Sequence, residues 1–309
     1  MNSFAYVPIV ASLLVAGLCR LASTRLWPRA AAWTIAGAAV TSAVSTVGAL
    51  VLLASPLPAR VPFVATLGRW QPYAVDARSP VPVLVSVTAL VVLAALATRT
   101  VRELRALTSE VRDAARLSAT IHRNRRVDDV VVVDDESPYA HAVGLGVTGR
   151  GEVIVSSAML ALLDDDEQAA TIAHERAHLR ERHALFLAVV RVASAMNPLL
   201  HSLAGDMRFV LERSADESAA ATTDRPVVAS AVARAALASL EQRSAPLLGL
   251  AFHPHRVTDR VEAMLVEPDQ RRRPSWALIA VLAFVTLAFA WAMHDTERFF
   301  EAARHRSQR

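Results

Sequence analysis

The sequence contains no lysine and a single cysteine, and only 6% of its residues are aromatic. One cysteine, Cys19, excludes a disulfide within the chain and a cysteine-rich zinc site. Without lysine, all 33 basic residues are arginines, and the formal net charge is +4. A positive charge can indicate nucleic-acid binding, but these arginines flank apolar blocks, which is typical of membrane proteins. We therefore expect no direct contact with nucleic acid.

Charged residues are also absent from four long apolar blocks. The chain is 53% hydrophobic, which is more than a typical soluble domain. A helix of about 20 apolar residues crosses a bilayer, and the fourth block carries tryptophans near both ends, as membrane–water interfaces favour. The sequence predicts four transmembrane helices, at about residues 4–19, 30–54, 81–98 and 276–293.

The arginines between the blocks indicate an orientation. They are dense after the third block, at Arg99, Arg102 and Arg105, and just before the fourth, at residues 271–273. Positive residues favour the cytoplasmic side. We therefore expect the N-terminus outside, a cytoplasmic domain at 99–275 and an outside tail at 294–309, although the loop between the second and third blocks is also basic.

The hydrophobic pattern changes several times within the inserted domain. Residues 99–124 are charged, with apolar residues at helical spacing, which predicts an amphipathic helix. The apolar runs 130–133 and 152–156 predict short buried strands. Residues 184–200 are apolar but include Arg191, and a charge inside a membrane is costly, so we favour core packing over a membrane-dipping segment. The predicted fold is a mostly α-helical membrane protein with a small β-sheet in an inserted α+β domain.

The inserted domain contains a His-Glu-Arg-Ala-His motif at residues 174–178. Asp164 and Glu167 precede it at the spacing of a capping box, which predicts that the motif lies on a helix. His174 and His178 are four residues apart and share a helical face, so both imidazoles can bind one Zn²⁺ at roughly 2.0–2.1 Å. Glu175, beside the first histidine, can reach the attacking water as a general base without binding the metal.

A catalytic zinc requires a third protein ligand, and residues 207–221 offer one. This stretch has helical character, and Glu212 and Asp216 share a face because they are four residues apart. We predict that Glu212 binds the metal. Asp216 can accept a hydrogen bond from the other ring nitrogen of a zinc-binding histidine. Without the motif, a solvated helix paired to Arg208 and Arg213 would be the simpler interpretation.

His174-Glu175-x-x-His178 followed by Glu212-x-x-Ala-Asp216 resembles the gluzincin membrane metalloproteases, namely family M56 (BlaR1/MecR1-like) and the related family M48 (HtpX/Ste24-like). The segment SPYAHAVGL at 137–145 is similar to the Pro-x-Ala-x-Ala-x-Gly stretch of these families, with a histidine at 141 where an aromatic residue is commoner. A His-Pro pair at 253–254 with a following arginine at 260 resembles a further element of the pattern.

The resemblance implies a membrane-bound zinc endopeptidase whose general base is the motif glutamate. Its His-Pro element makes His253 the candidate donor to the oxyanion, with a loop-capping histidine as the alternative. It also implies that Arg260 pairs with an acidic residue near the site, with a plain surface arginine as the alternative. It also implies that the strand at 152–156 binds an extended substrate along its edge. His183 and His201 match no part of the pattern, and we expect both at the surface.

Three spans, a zinc domain and a fourth span form the arrangement that M56 resemblance implies. We therefore favour regulatory proteolysis of a protein substrate, such as a cytoplasmic repressor. Only residues 294–309 follow the fourth block, so we expect no extracellular sensor domain. The M48 alternative implies quality control or processing of membrane proteins. A non-catalytic receptor or scaffold is a further alternative, which the retained Glu175 disfavours, and the uncharged spans disfavour a transporter.

Overall fold

The computed structural model describes residues 6–68, 81–121, 125–144, 151–241, 254–266 and 276–305. Within these ranges the chain is mostly helical with a small sheet, as the sequence predicts. The helices, apart from two short 3₁₀ turns, are α1 (Val7–Arg25), α2 (Pro28–Ala54), α3 (Pro62–Gly68), α4 (Val83–Ile121), α5 (Ser157–Leu162), α6 (Asp165–Arg180), α7 (His183–Met196), α8 (Leu203–Ala219), α9 (Arg225–Glu241), α10 (Pro254–Leu265) and α11 (Trp276–His305).

Among the described residues, three helical segments are long and apolar enough to cross a bilayer. They are Val7–Arg25, Pro28–Arg60 and Val83–Arg116, and each includes most of one predicted span. Helix α11 contains the fourth predicted span and packs against α1 and α2. It continues to His305, through most of the predicted tail. The spanning role of α11 stays a prediction.

The third predicted span and the amphipathic helix form one continuous helix, α4, of 39 residues. The chain contains no proline or glycine between Val83 and Ile121, so nothing in the sequence forces the helix to end. Arg191 of α7 donates hydrogen bonds to Glu103 at 2.6 Å and to Glu110 at 2.7 and 2.8 Å. These ion pairs join the second half of α4 to α7.

Helices α1, α2, α7 and α8 share the largest apolar core of the described chain. Val15, Ile35, Val190, Leu203 and Met207, which come from all four helices, are fully buried there. Predicted segment 184–200 is therefore packed in this bundle through α7. Arg191 of this helix lies outside the apolar core and pairs with Glu103 and Glu110 of α4.

A buried asparagine joins the turn between α7 and α8 to the first two helices. The Asn197 amide nitrogen donates to Ser12 Oγ at 2.8 Å and to Thr46 Oγ1 at 3.0 Å. Its oxygen accepts from the Leu199 backbone N–H at 3.2 Å. A buried amide without partners would be costly, and here the bonds satisfy it while fixing α8 against α1 and α2.

The sheet has the strand order β1-β2-β4-β3. Strands β2 (Val130–Val133) and β4 (Gly151–Ser156) confirm the two predicted strands, whereas β1 (Arg125–Val127) and β3 (Ala140–Gly144) lack a distinctive apolar run. Strand β4 pairs in parallel with β2 and antiparallel with β3. The prediction that 152–156 is an edge strand for substrate is therefore wrong, because both sides of β4 are occupied, and the edge next to it is β3.

Candidate active site

The motif helix α6 begins as the sequence predicts. The Asp164 carboxylate accepts from the Glu167 N–H at 2.9 Å, and the Glu167 carboxylate accepts from the Asp164 N–H at 3.1 Å. This capping box satisfies two backbone donors that a helix start would otherwise leave unpaired. Glu167 also accepts from Ser230 of α9 at 2.5 Å, so the start of α6 is fixed to a second helix.

The two motif histidines and Glu212 converge on one point. The Nε2 atoms of His174 and His178 are 3.2 Å apart, and each lies 3.6 Å from an oxygen of Glu212. One donor atom from each residue lies within 4.8 Å of the others. Two imidazoles and a carboxylate are a ligand set of catalytic zinc sites, and this spacing fits a single ion.

Asp216 and Arg260 lie directly behind these ligands. Asp216 Oδ1 is 3.0 Å from His174 Nδ1. Arg260 donates two hydrogen bonds to the Asp216 carboxylate, at 2.8 and 2.7 Å. Its third nitrogen is 2.9 Å from Glu212. As the sequence predicts, Glu212 and Asp216 share one face of a helix. Arg260 pairs with both of these acidic residues, which agrees with the expectation from the resemblance.

The charges of this cluster depend on one another. Burial by itself would raise the pKa of Glu212 and of Asp216, but the Arg260 guanidinium and the neighbouring His174 ring together outweigh it and hold both pKa values below the ordinary carboxyl range. Burial would lower the pKa of His174, but Asp216 and Glu212 outweigh it and raise the pKa to about 10. A metal that binds at His174 therefore has to displace a proton.

Glu175 projects towards the edge strand of the sheet. Its Oε2 accepts a hydrogen bond from the Ala142 N–H of β3 at 2.8 Å. Burial, helped by the negative charge of Glu212, raises the pKa of Glu175 to about 7 against the opposing effect of His174. A carboxylate with a pKa near neutrality is suited to accept and return a proton.

The site opens into a cavity of about 1600 Å³. The edge strand contributes His141 to its wall, Tyr139 just before this strand also lines it, and α9 contributes small residues such as Ala231 and Ala235. The cavity also reaches Arg20 near the end of the apolar helix α1. An extended peptide could therefore lie beside β3 and close to the ends of the membrane helices.

The expectation that His183 lies at the surface is wrong. The residue is 4% exposed, and its Nδ1 lies 2.9 Å from the Nδ1 of His178. On one continuous helix, side chains five residues apart would not share a face. Here α6 ends at Arg180, and Arg182 adopts a left-handed conformation with φ 55°, so the two rings can meet. His201 is exposed, as expected.

His253, the predicted oxyanion donor, lies outside the described residues. Its role stays a prediction. The neighbouring helix α10 begins at Pro254 and carries Arg260 into the cluster.

The sequence profile described as Peptidase family M48 matches residues 101–267, which is more than half of the chain. The chain therefore belongs to peptidase family M48. It is also 34% identical over 84 residues to a Thermoplasma acidophilum protein named Protease HtpX homolog, a match that covers 27% of this chain and 25% of that protein. No solved structure matches the chain. These findings support the M48 alternative, and the preference for M56 has no support from them.

Proposed function

We propose that this protein is a membrane-bound zinc endopeptidase that hydrolyses peptide bonds in protein substrates. The proposal rests on one observation. The ligand atoms of His174, His178 and Glu212 converge within 4.8 Å, and the Glu175 carboxylate lies beside them without being a ligand. Membership of a peptidase family supports it, and so does Glu175, which a non-catalytic receptor or scaffold would not need.

His174, His178 and Glu212 would hold the zinc ion, which when bound polarises the scissile carbonyl and makes water more acidic. Glu175 lies next to the first ligand, where it accepts the proton of the attacking water and delivers it to the leaving amine nitrogen. Asp216 and Arg260 keep His174 and Glu212 in place. We assign the stabilisation of the oxyanion to His253, on the resemblance of the His-Pro element.

The substrate would add as an extended strand to the outer edge of β3. Main-chain hydrogen bonds along a strand edge provide affinity for many sequences, and a bound substrate would compete with Glu175 for the Ala142 N–H. The cavity beside β3 has room for the side chains. Because the cavity reaches the end of α1, segments of membrane proteins near the bilayer are favoured substrates. This corresponds to processing or quality control rather than to cleavage of a cytoplasmic repressor.

We also propose a cell-membrane location with four spans. The packing of α11 on α1 and α2 supports a fourth span at 276–293, and the arginine distribution supports a cytoplasmic domain at 99–275. Cysteine labelling of single-cysteine variants in intact cells tests this orientation. Labelling of a cysteine placed at Ala115 from outside the cell would contradict it.

The function is tested by metal analysis and proteolysis with the detergent-solubilised chain. We expect one zinc per chain and cleavage of an unfolded protein such as casein. Glu175→Gln should keep the zinc and lose activity by about 10²–10⁴-fold, while His174→Ala should lose both. A chelator should abolish cleavage, and added zinc should restore it. Absence of zinc from the folded wild-type chain would refute the proposal.

A further inference from the structure

A chain of polar contacts leads away from His178 on the side opposite the metal-binding point. The ring of His183 follows, with its Nδ1 2.9 Å from the His178 Nδ1. The Nε2 of His183 is 3.3 Å from Glu181 Oε2. Ser214 and Ser218 of α8 donate to the Glu181 carboxylate at 2.9 and 2.5 Å. The proposed hydrolysis uses none of these four residues directly.

Hydrogen bonding fixes the proton positions along this chain. His178 presents Nε2 to His174 and Glu212, so metal binding there leaves the hydrogen on Nδ1. That N–H donates to Nδ1 of His183, which must accept and therefore carries its own hydrogen on Nε2. The Nε2–H then faces a carboxylate. Burial opposes the charge of Glu181, but hydrogen bonds from His183, Ser218 and Ser214 bring its pKa to about 2.

We propose that His183, held by Glu181, is a positioning residue that fixes the ring of His178 for the metal. The inference rests on the proposed zinc site, because it concerns a ligand of that site. Zinc-binding histidines commonly donate their second N–H to a partner that sets the tautomer and the ring orientation. Asp216 serves His174 in this way, and the His183–Glu181 pair serves His178.

The backbone between α6 and α7 is shaped to allow this contact. Arg182 is not a glycine, yet it adopts the left-handed conformation, which is strained for a residue with a Cβ. The turn interrupts the helix between Arg180 and His183 and allows His183 to contact the ring of His178. The two rings meet edge to face with centroids 4.7 Å apart.

The test measures zinc affinity by chelator competition and the visible spectrum of the cobalt(II)-substituted full-length chain in detergent. His183→Leu removes the acceptor, and we expect about 10–100-fold weaker zinc binding with a changed cobalt spectrum. His183→Gln can accept with its oxygen and donate with its nitrogen, so it should recover most of the affinity. His201→Leu, at an exposed position, is the matched control and should bind zinc as the wild type does.

The outcomes separate this inference from the proposed function. If wild-type protein binds zinc and folded His183→Leu has the same affinity and spectrum, His183 is not a positioning residue and the protease proposal stands. If the wild type binds no zinc, both fail. If His183→Leu does not fold, Glu181→Met is measured instead, because it keeps the length of the side chain and removes the oxygen that accepts from His183. Wild-type affinity and spectrum in Glu181→Met would overturn the inference, and about tenfold weaker binding would support it.

Discussion

The two ends of helix α8 are held in the protein by different interactions. Its first turns place Leu203, Met207 and Val210 in the apolar bundle with α1, α2 and α7. Its later turns place Glu212 and Asp216 in the charged cluster with Arg260. Many small dispersion contacts stabilise the bundle, and each can be lost at modest cost. The cluster depends on a few charges, each of which is tolerated only because of its partners.

The largest expected effect is the loss of the cationic partner in the cluster. Arg260→Met removes the arginine partner of the buried Asp216 carboxylate and of the partly exposed Glu212 carboxylate, and we expect the free energy of unfolding to fall by about 3–5 kcal/mol. Denaturant unfolding of the zinc-free protein in detergent measures it. Arg260→Lys, which keeps the charge, should lose less, and saturating zinc should reduce both losses. If zinc-free Arg260→Met were as stable as the zinc-free wild type, the charged end of α8 would not depend on a single partner, and the two ends would not differ in this respect.

Two glycines, one in the sheet and one in α8, differ in the space that an added Cβ would find. A Cβ on Gly151 would overlap the Val143 carbonyl oxygen and lie 2.8 Å from both Gly144 Cα and Leu179 Cδ2, whereas a Cβ on Gly205 in α8 meets nothing within 4 Å. We expect Gly151→Ala to destabilise the protein by about 1–3 kcal/mol and Gly205→Ala to stabilise it by about 0.5–1 kcal/mol. Thermal unfolding measures both variants, and destabilisation by Gly205→Ala would contradict the open space around this exposed position of α8.

The polar contact inside the bundle should matter less than the charged cluster. Asn197→Ala removes two side-chain hydrogen bonds and the acceptor for the Leu199 N–H, and we expect a loss of about 1–2 kcal/mol. Zinc affinity should stay unchanged because the site is built from later turns of α8. A loss as large as that of Arg260→Met in the same unfolding assay would mean that the bundle also depends on a few groups.

The smallest effect is expected at the left-handed turn. Arg182→Gly relieves the strain of a side chain at φ 55° but adds freedom to the unfolded chain, so stability should rise by less than about 1 kcal/mol. Arg182→Val should lower stability instead, because a β-branched side chain fits the left-handed conformation poorly. Calorimetry measures the stability of both variants. Equal stability would show that residue 182 does not keep the left-handed conformation in the variants.

The sequence predicts those features of the site that depend on local spacing. The capping box, the shared face of His174 and His178, and the shared face of Glu212 and Asp216 follow from the period of a single helix. The approach of Arg260 from another helix was expected only through resemblance to a family. The positions of His183 and of the open edge strand were predicted wrongly. The first depends on one left-handed residue, and the second depends on which strands pair across distant parts of the chain.

The unbroken helix α4 has a mechanical consequence. At 1.5 Å per residue its 39 residues measure about 58 Å, nearly twice the roughly 30 Å hydrocarbon layer. The same helix touches strand β3, so, if α4 spans the bilayer as proposed, it would form a stiff connection between the lipid and the cavity beside β3. A thicker bilayer would draw more of this helix inward and lower the cavity towards the membrane surface. Lipid thickness would then set how far from the bilayer a bond can be cut.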